Sequence, residues 1–390
     1  MLQVFIGPNG FGKTTKLIDI KKKLDNEKSN NTIMLSSELI FDDEVKDTVN
    51  TSMLMEYIIT EILSDDETQK AKIALEKAVD NSIDKNTNIL NEKIEYALGF
   101  NNKSQTKDLL ELRSDKEYKK LVKINNDDIK KSMGSGQKLL FLLSLIELSK
   151  KENILLDEPE NHCHPSFLHE VARLINEISK TKNVYLATHS PQLLSLLNID
   201  FNNMFLLNDS NFKKEKTIDF NKAINSLPNK INKDNLNKKS KSYYDNKDSL
   251  VKNIKELHYK DFFEALFSKR VYLVEGINDS LFLKKLLIKN SKQYDDYCIF
   301  QTYGKPHMFP FASIFTSLDI EVVILFDSDE KPDDNTNKII NDELMTYKYY
   351  MFNKTIEEEL QYVGSKNSTV EYLEYLDNFN NFDKYKEIIQ

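Results

Sequence analysis

The chain contains no apolar run of about 18 residues, so no segment of it is a candidate membrane-spanning helix. Cysteine is nearly absent: Cys163 and Cys298 are the only two in 390 residues. That excludes a disulfide framework and fits a reducing cytoplasm. A basic surplus is also lacking, with 54 Lys and Arg against 62 Asp and Glu and a net charge of −8. The chain therefore has no global positive field to hold nucleic acid, and any such contact has to come from local lysine clusters or bound cations. Residues 1–7 are apolar, but they are too few, and lack the basic flank, for a signal peptide. A soluble, cytoplasmic chain of two or three domains remains.

Beta–alpha alternation runs through the sequence. LQVFIG (2–7) is a short apolar run ending at a glycine loop, with a helical stretch from Lys13 to Leu24 behind it. TIMLSS (32–37), ENILLD (152–157) and NVYLAT (183–188) read as strands, and 166–179 as a helix. Residues 48–128 are polar with helical spacing and read as an insertion. Residues 208–248 are rich in Asn, Lys and Ser, which suits a solvated linker; their charge and the Tyr243/Tyr244 pair also suit a nucleic-acid arm. A helical stretch (250–268) then leads into strand RVYLVE (270–275), helix 279–289, strand YCIFQT (297–302), helix 308–317 and strand EVVILFD (321–327). Such alternation predicts two α/β units with mostly parallel sheets.

GPNGFGKT (7–14) fits the pattern G-x-x-x-x-G-K-[ST] in its required setting between strand and helix. Gly7, Gly10 and Gly12 allow the backbone to wrap phosphates where helix amides and the helix dipole favour anions. Lys13 is placed to reach the β- and γ-phosphates and Thr14 to ligate Mg2+, with Asn9 and Thr15 counted among the nucleotide contacts. ILLDEPE (154–160) ends an apolar strand in Asp157, suited to the Mg2+ shell, and Glu158, suited to activating the attacking water. MGSGQKLLFLLSLI (133–146) is a glycine-containing turn opening an apolar helix, and ATHSPQLL (187–194) puts His189 at a strand end, where it could sense a γ-phosphate.

These segments resemble the ATP-binding-cassette ATPases, in particular the RecF/SMC-like branch. The resemblance implies ATP as ligand and two heads that sandwich it, with Ser135 and Gly136 of one head contacting the nucleotide of the other. It therefore implies a homodimer or higher homo-oligomer. The signature reads MGSGQ where transporters read L-S-G-G-Q, which leaves those two contacts least specified. EPENHCHPSF (158–167) is similar to the E-P-E-x-x-L-H-P stretch of that branch, with Cys163 in place of Leu.

VYLVEGINDSLFLKKLL (271–287) places Glu275 at a strand end and Asp279 one helical turn on; VVILFDSDE (322–330) ends a later strand in Asp327 and Asp329. If the two strands are neighbours in a parallel sheet, the four carboxylates converge at its C-terminal edge, where they repel unless a divalent cation lies between them. The arrangement resembles the Toprim domain of topoisomerases, primases and nucleases. Behind an ATPase head it is similar to the OLD (overcoming lysogenization defect) family of nucleases.

That resemblance implies an ABC-type ATPase domain over 1–207 with its helical insertion at about 48–128, a linker and connecting helix over 208–268, and a Toprim nuclease domain over 269–390. Cleavage would proceed by a water activated at one Mg2+ or Mn2+ while a second stabilises the leaving oxygen. The implied partner is nucleic acid, with DNA ahead of tRNA; an anti-phage defence role and an accessory defence-system protein also follow only from the resemblance. A non-nuclease sensing scaffold is the alternative from another class. Within IEEEL (356–360) Glu358 or Glu359 is expected as an extra metal-shell ligand, and Lys354 or Lys366 as the lysine that the family carries after its D-x-D motif.

Overall fold

The computed structural model describes residues 1–8, 10–27, 31–36, 123–124, 127–128, 134–207, 215–290, 296–329, 335–364 and 368–389. They fall into two compact units, Met1–Lys214 and Glu215–Gln390.

The first unit contains β1 (Leu2–Ile6), β2 (Thr32–Leu35), β3 (Lys123–Ile124), β4 (Asp127–Asp128), β5 (Asn153–Asp157), β6 (Asn183–Thr188) and β7 (Met204–Leu207). Strands β2, β5, β6, β1 and β7 lie side by side in that order, every pair parallel. β5 is buried along its whole length, which is why it reads as an unbroken apolar run: a strand covered on both faces has no polar side to show. The helix Lys13–Glu27 covers one face through Leu17, which packs with Phe5, Leu155, Ala187 and Leu207.

The helix Ser135–Leu148 is buried from Leu139 through Ile146, as an all-round apolar helix must be. It packs on the helix Pro165–Thr181. The latter turns a stripe of Leu168, Val171, Leu174, Ile175 and Ile178 inward, each burial contributing about 1.5–3 kcal/mol. Pro165 opens it, and the His164 imidazole accepts from Ser166 N as its cap. The helical insertion expected over 48–128 lies outside the described residues apart from β3 and β4, which pair antiparallel.

The second unit contains β8 (Glu215–Lys216), β9 (Arg270–Val274), β10 (Tyr297–Gln301), β11 (Glu321–Asp327) and β12 (Lys348–Phe352). Its parallel sheet has the order β10-β9-β11-β12, with Val274 opposite Leu325 and Asp327 opposite Phe352. The chain leaves β9 for one side of the sheet and returns to its other side as β11, so the strand order reverses around β9. Crevices at such reversals open at the carboxyl ends of the strands. Glu275 and Asp327 both stand there. The helix Ile277–Lys289 packs Phe282, Leu283, Leu286 and Leu287 into a core with Val274, Val323, Leu325 and Phe352.

For 208–268 the sequence predicts a linker and a connecting helix. The described part of that stretch, 215–268, belongs to the second unit, and Leu236, Ser240, Tyr243 and Tyr244 are buried. Tyr243 stacks on His307 with ring centroids 4.1 Å apart and shares a hydrogen bond of 2.9 Å with His258 Nε2. The Tyr244 hydroxyl donates to Pro306 O. Both rings are committed to the interior, so neither is presented to a nucleic-acid base.

Candidate functional site

In the nucleotide loop Gly7, Gly10 and Gly12 hold φ of +153°, +84° and +83°. A Cβ on Gly7 would meet the Leu207 carbonyl oxygen at 2.3 Å, so only glycine lets β1 leave the sheet beside β7. At Gly10 no atom lies within 4 Å of an added Cβ, and the loop is open there. The buried Lys13 ammonium donates to Gly7 O at 2.9 Å and Pro8 O at 3.2 Å and lies 3.1 Å from Glu158 Oε1. Thr14 Oγ1 donates to Asp157 Oδ2 at 2.8 Å, so β5 delivers its carboxylate to the hydroxyl with which it would share a Mg2+ shell. Thr15 is in the same first helical turn; Asn9 is outside the described residues.

Glu158 adopts φ 47°, a left-handed turn that points the chain away from the sheet after β5. Burial pushes its carboxyl up, but hydrogen bonds from Asn161 and Lys13 and the charges of Lys13 and His189 outweigh this and hold it below its ordinary value. It is an ionised acceptor. His189 Nδ1 lies 3.1 Å from Glu158 Oε1 and 3.5 Å from Glu160 Oε1. Glu160, to which sequence reasoning gave no role, accepts from Thr188 Oγ1 and from His189 N and so fixes the turn bearing the imidazole. Ser135 and Gly136 open their helix as expected, with Gly136 buried against the Phe167 ring, 3.1 Å from an added Cβ.

In the second unit Glu275, Asp279, Asp327 and Asp329 come together at the carboxyl edge of the sheet. β9 and β11 are direct neighbours, and the helix starting at Ile277 carries Asp279 back over the turn, where its Oδ2 accepts from Gly276 N at 2.8 Å. Burial pushes Glu275 and Asp279 up to about 7, opposed by the Lys305 charge at Glu275 and the Gly276 N–H at Asp279 and reinforced by the charges of the other acids. Burial followed by the charges of Asp279, Glu275, Asp329 and Glu357 takes Asp327 to about 8. Asp327 Oδ1 accepts from Ile356 N at 2.9 Å. Glu275 Oε2 and Asp279 Oδ1 are buried without a hydrogen-bond partner, which is costly for oxygens that nothing else satisfies.

Hard, unpartnered carboxylate oxygens are the donor set that Mg2+ or Mn2+ takes. Among the described residues no group of three or more His, Cys, Asp or Glu side chains stands in an arrangement that could hold an ion as it is. The acids are close enough to repel one another but do not form a closed cage. An ion held here would keep positions for water and phosphate oxygens.

Two participants escaped sequence reasoning. Within 356–360 it is Glu357 that is buried beside the acids, receiving 2.6 Å from Asn278 Nδ2. Glu358 pairs with Lys354 at the surface, and Glu359 accepts from Asn353 N and pairs with Lys384. The second is Lys305, in the turn 303–306 that follows β10, whose buried ammonium lies 3.1 Å from Asp329 Oδ2. Its signal was the glycine before it: Gly304, at φ 136°, lets the chain turn under the sheet edge. Lys366 is outside the described residues.

Two family models match the chain. Residues 40–195 match "AAA domain, putative AbiEii toxin, Type IV TA system", a span that begins after the 7–14 loop. Residues 266–329 match "Overcoming lysogenization defect protein-like, TOPRIM domain", from just before β9 to Asp329. No curated protein matches. The class is thus an ATPase domain followed by a Toprim domain. That pairing matches an OLD-type fusion of the two.

Proposed function

We propose that the protein is an ATP-hydrolysing, divalent-metal-dependent endonuclease that cleaves DNA, working as a homodimer or higher homo-oligomer through its ATPase heads in defence against phage. The observation carrying the nuclease part is the pair of buried, unpartnered oxygens, Glu275 Oε2 and Asp279 Oδ1, beside Asp327, a carboxylate that burial and like charge have raised to about 8. Left alone such a group destabilises the fold; a cation makes it useful.

Glu275, Asp279 and Asp327 would hold the ion, with Glu357 steadied by Asn278 at its side. A divalent cation supplies an activated water and neutralises charge on the scissile phosphate. The protein's own contribution is placement. Ile356 N fixes one oxygen of Asp327 and Gly276 N one oxygen of Asp279, which would leave the other oxygen of each for the ion. The acidic net charge repels a phosphodiester backbone, an obstacle that a cation held by these carboxylates would offset.

At the other site Lys13 would exchange its contacts with the Gly7 and Pro8 carbonyls for the β- and γ-phosphates. Thr14 and Asp157 would hold Mg2+, Glu158 would take the proton of the attacking water, and His189 would report on the γ-phosphate through its Glu158 contact. ATP binding or turnover would then set the geometry that admits the nucleic acid.

The test is cleavage of plasmid DNA and of total tRNA with Mg2+ by the full chain, beside Asp327→Ala and Lys13→Ala. The reading expects DNA cleavage that Asp327→Ala abolishes while ATP turnover survives, and loss of turnover in Lys13→Ala. Cleavage of tRNA alone transfers the activity to RNA. Full activity in Asp327→Ala overturns the site, and metal-dependent cleavage of neither substrate favours a sensing scaffold.

A further inference from the structure

Lys305 is only 3% exposed, and a buried ammonium needs a full complement of acceptors. It has Asp329 Oδ2 at 3.1 Å, Asn337 Oδ1 at 3.2 Å and Asn341 Oδ1 at 3.3 Å, with Ser328 O at 3.5 Å. Three donors thus meet three close acceptors. The two asparagines are four residues apart on the helix Asn335–Leu344, hence on one face. Each also donates to Ser328 O, at 3.0 and 2.7 Å. Their amides can therefore present only oxygen to the lysine. The acceptors were built around a cation.

The backbone on both sides is held as firmly. Asp329 adopts φ 46°, and its carbonyl accepts from Asn337 Nδ2 at 3.2 Å. The turn carrying Lys305 is anchored by His307. Its Nδ1 faces the Thr302 carbonyl at 2.8 Å and therefore donates, leaving Nε2 to accept from Ser240 Oγ at 3.0 Å. The hydroxyl of Tyr244 donates to Pro306 O. The Asn- and Lys-rich segment is thus the brace that keeps Lys305 in place.

Asp329 therefore differs from its neighbours. Glu275 and Asp279 each keep a buried oxygen unpartnered, whereas Asp329 is exposed and already paired with a fixed positive charge. A divalent cation approaching Asp329 would meet an ammonium that cannot withdraw. We propose that Lys305 is a positioning residue that occupies, as a built-in cation, the place at Asp329 where a second metal ion would bind, so that this chain takes one tightly held ion, on Glu275, Asp279 and Asp327. The inference rests on the metal-dependent reading above and replaces the two-ion arrangement expected from the sequence resemblance.

The experiment counts Mn2+ bound to the full, nucleotide-free chain by calorimetry and by the paramagnetic resonance signal of free Mn2+. A Thr14→Ala background removes the nucleotide-site hydroxyl ligand. One tight ion per chain is expected. Asp329→Asn should leave its affinity within about threefold, whereas Asp327→Asn should weaken it by about 10–100-fold, as loss of a coordinating or supporting group does. Lys305→Met, which keeps the buried stem, should raise the count to two. Should that variant fail to fold, as circular dichroism would reveal, the Asp329→Asn and Asp327→Asn comparison decides alone.

Two tight ions in the wild-type chain, or equal losses in the two aspartate variants, overturn the proposal and leave the metal site standing. No bound ion at all overturns the metal-dependent reading with it.

Discussion

Asn278 Nδ2 donates to Glu357 Oε1 at 2.6 Å, tying the helix that follows β9 to the short helix that follows β12. Glu357 is thereby turned toward Asp279 and Asp327, whose carboxyls its charge helps to raise. Glu357→Ala should weaken Mn2+ binding by about 10–100-fold, the usual effect of losing a group beside a metal ligand. Glu358→Ala, which removes a surface partner of Lys354, should leave the affinity unchanged. Titration of the three proteins with Mn2+ separates them. Equal behaviour of Glu357→Ala and Glu358→Ala would remove Glu357 from the site.

Glu158 offers a cleaner dissection of ATP turnover. Gln preserves its size and its neighbours but cannot take a proton, so Glu158→Gln should retain nucleotide and lose turnover by about 10²-fold or more. Phosphate release and binding of a fluorescent ATP analogue measure the two separately. Because the Lys13 ammonium lies 3.1 Å from Glu158, the variant also frees Lys13 of its ionic partner, and binding should be at least as tight as in the wild type. Unchanged turnover would assign proton abstraction to another group.

The acids predict how stability responds to pH in the metal-free chain. Glu275 and Asp279 are raised from 4.5 and 3.8 to about 7, and Asp327 from 3.8 to about 8. Folded carboxyls thus keep protons that unfolded ones release. Their contribution is fully present below about pH 4 and is lost as pH rises through 7 to 8. A cation competes with those protons, so Mn2+ should raise the melting temperature more at about pH 8.5 than at about pH 6. Melting curves with and without Mn2+ at the two values test this. Asp327→Asn should flatten the metal-free trend, and a Mn2+ effect that is independent of pH would count against the cluster.

Several parts of this molecule were legible before any coordinate. β5, β6, β9 and β11 announce themselves as apolar runs because each is covered on both faces, and each ends in the residue that matters, Asp157, Thr188 just before His189, Val274 just before Glu275, and Asp327. β12 was missed. It reads KYYMF with Lys348 and Tyr349 exposed at the sheet edge, so the apolar signature of a covered strand is lacking. Without β12 the helix after it could not be phased, and three consecutive glutamates gave no means of choosing Glu357. Lys305 was hidden for another reason: its partners Asn337 and Asn341 are about 30 residues further on, and only the fold brings them near. Composition misled over the Asn- and Lys-rich stretch, where a few buried side chains outweigh many solvated ones.

That stretch supplies the last prediction. The Tyr243 ring is wholly buried between His307, on which it stacks, and Phe311, and its hydroxyl satisfies His258 Nε2. Burial lowers His258 and His307 to about 4, so both stay neutral in the fold and the hydrogen bond persists at neutral pH. Tyr243→Phe keeps the ring and strands the imidazole nitrogen, which should cost about 1–3 kcal/mol. As pH falls from about 6.5 toward 4 the unfolded imidazoles gain protons that the folded ones refuse, so the contribution of His258 and His307 to stability declines over that window, opposing the gain from the three acids. Chemical denaturation of both proteins at neutral pH and at about pH 5 measures the two effects. A nucleic-acid arm would behave otherwise: Tyr243→Phe would leave the denaturation midpoint where it was, and Tyr243→Ala would lower DNA affinity without unfolding the chain. A ring packed on His307 cannot be removed so harmlessly, because Thr302, Pro306 and Lys305 all hang on the turn it supports.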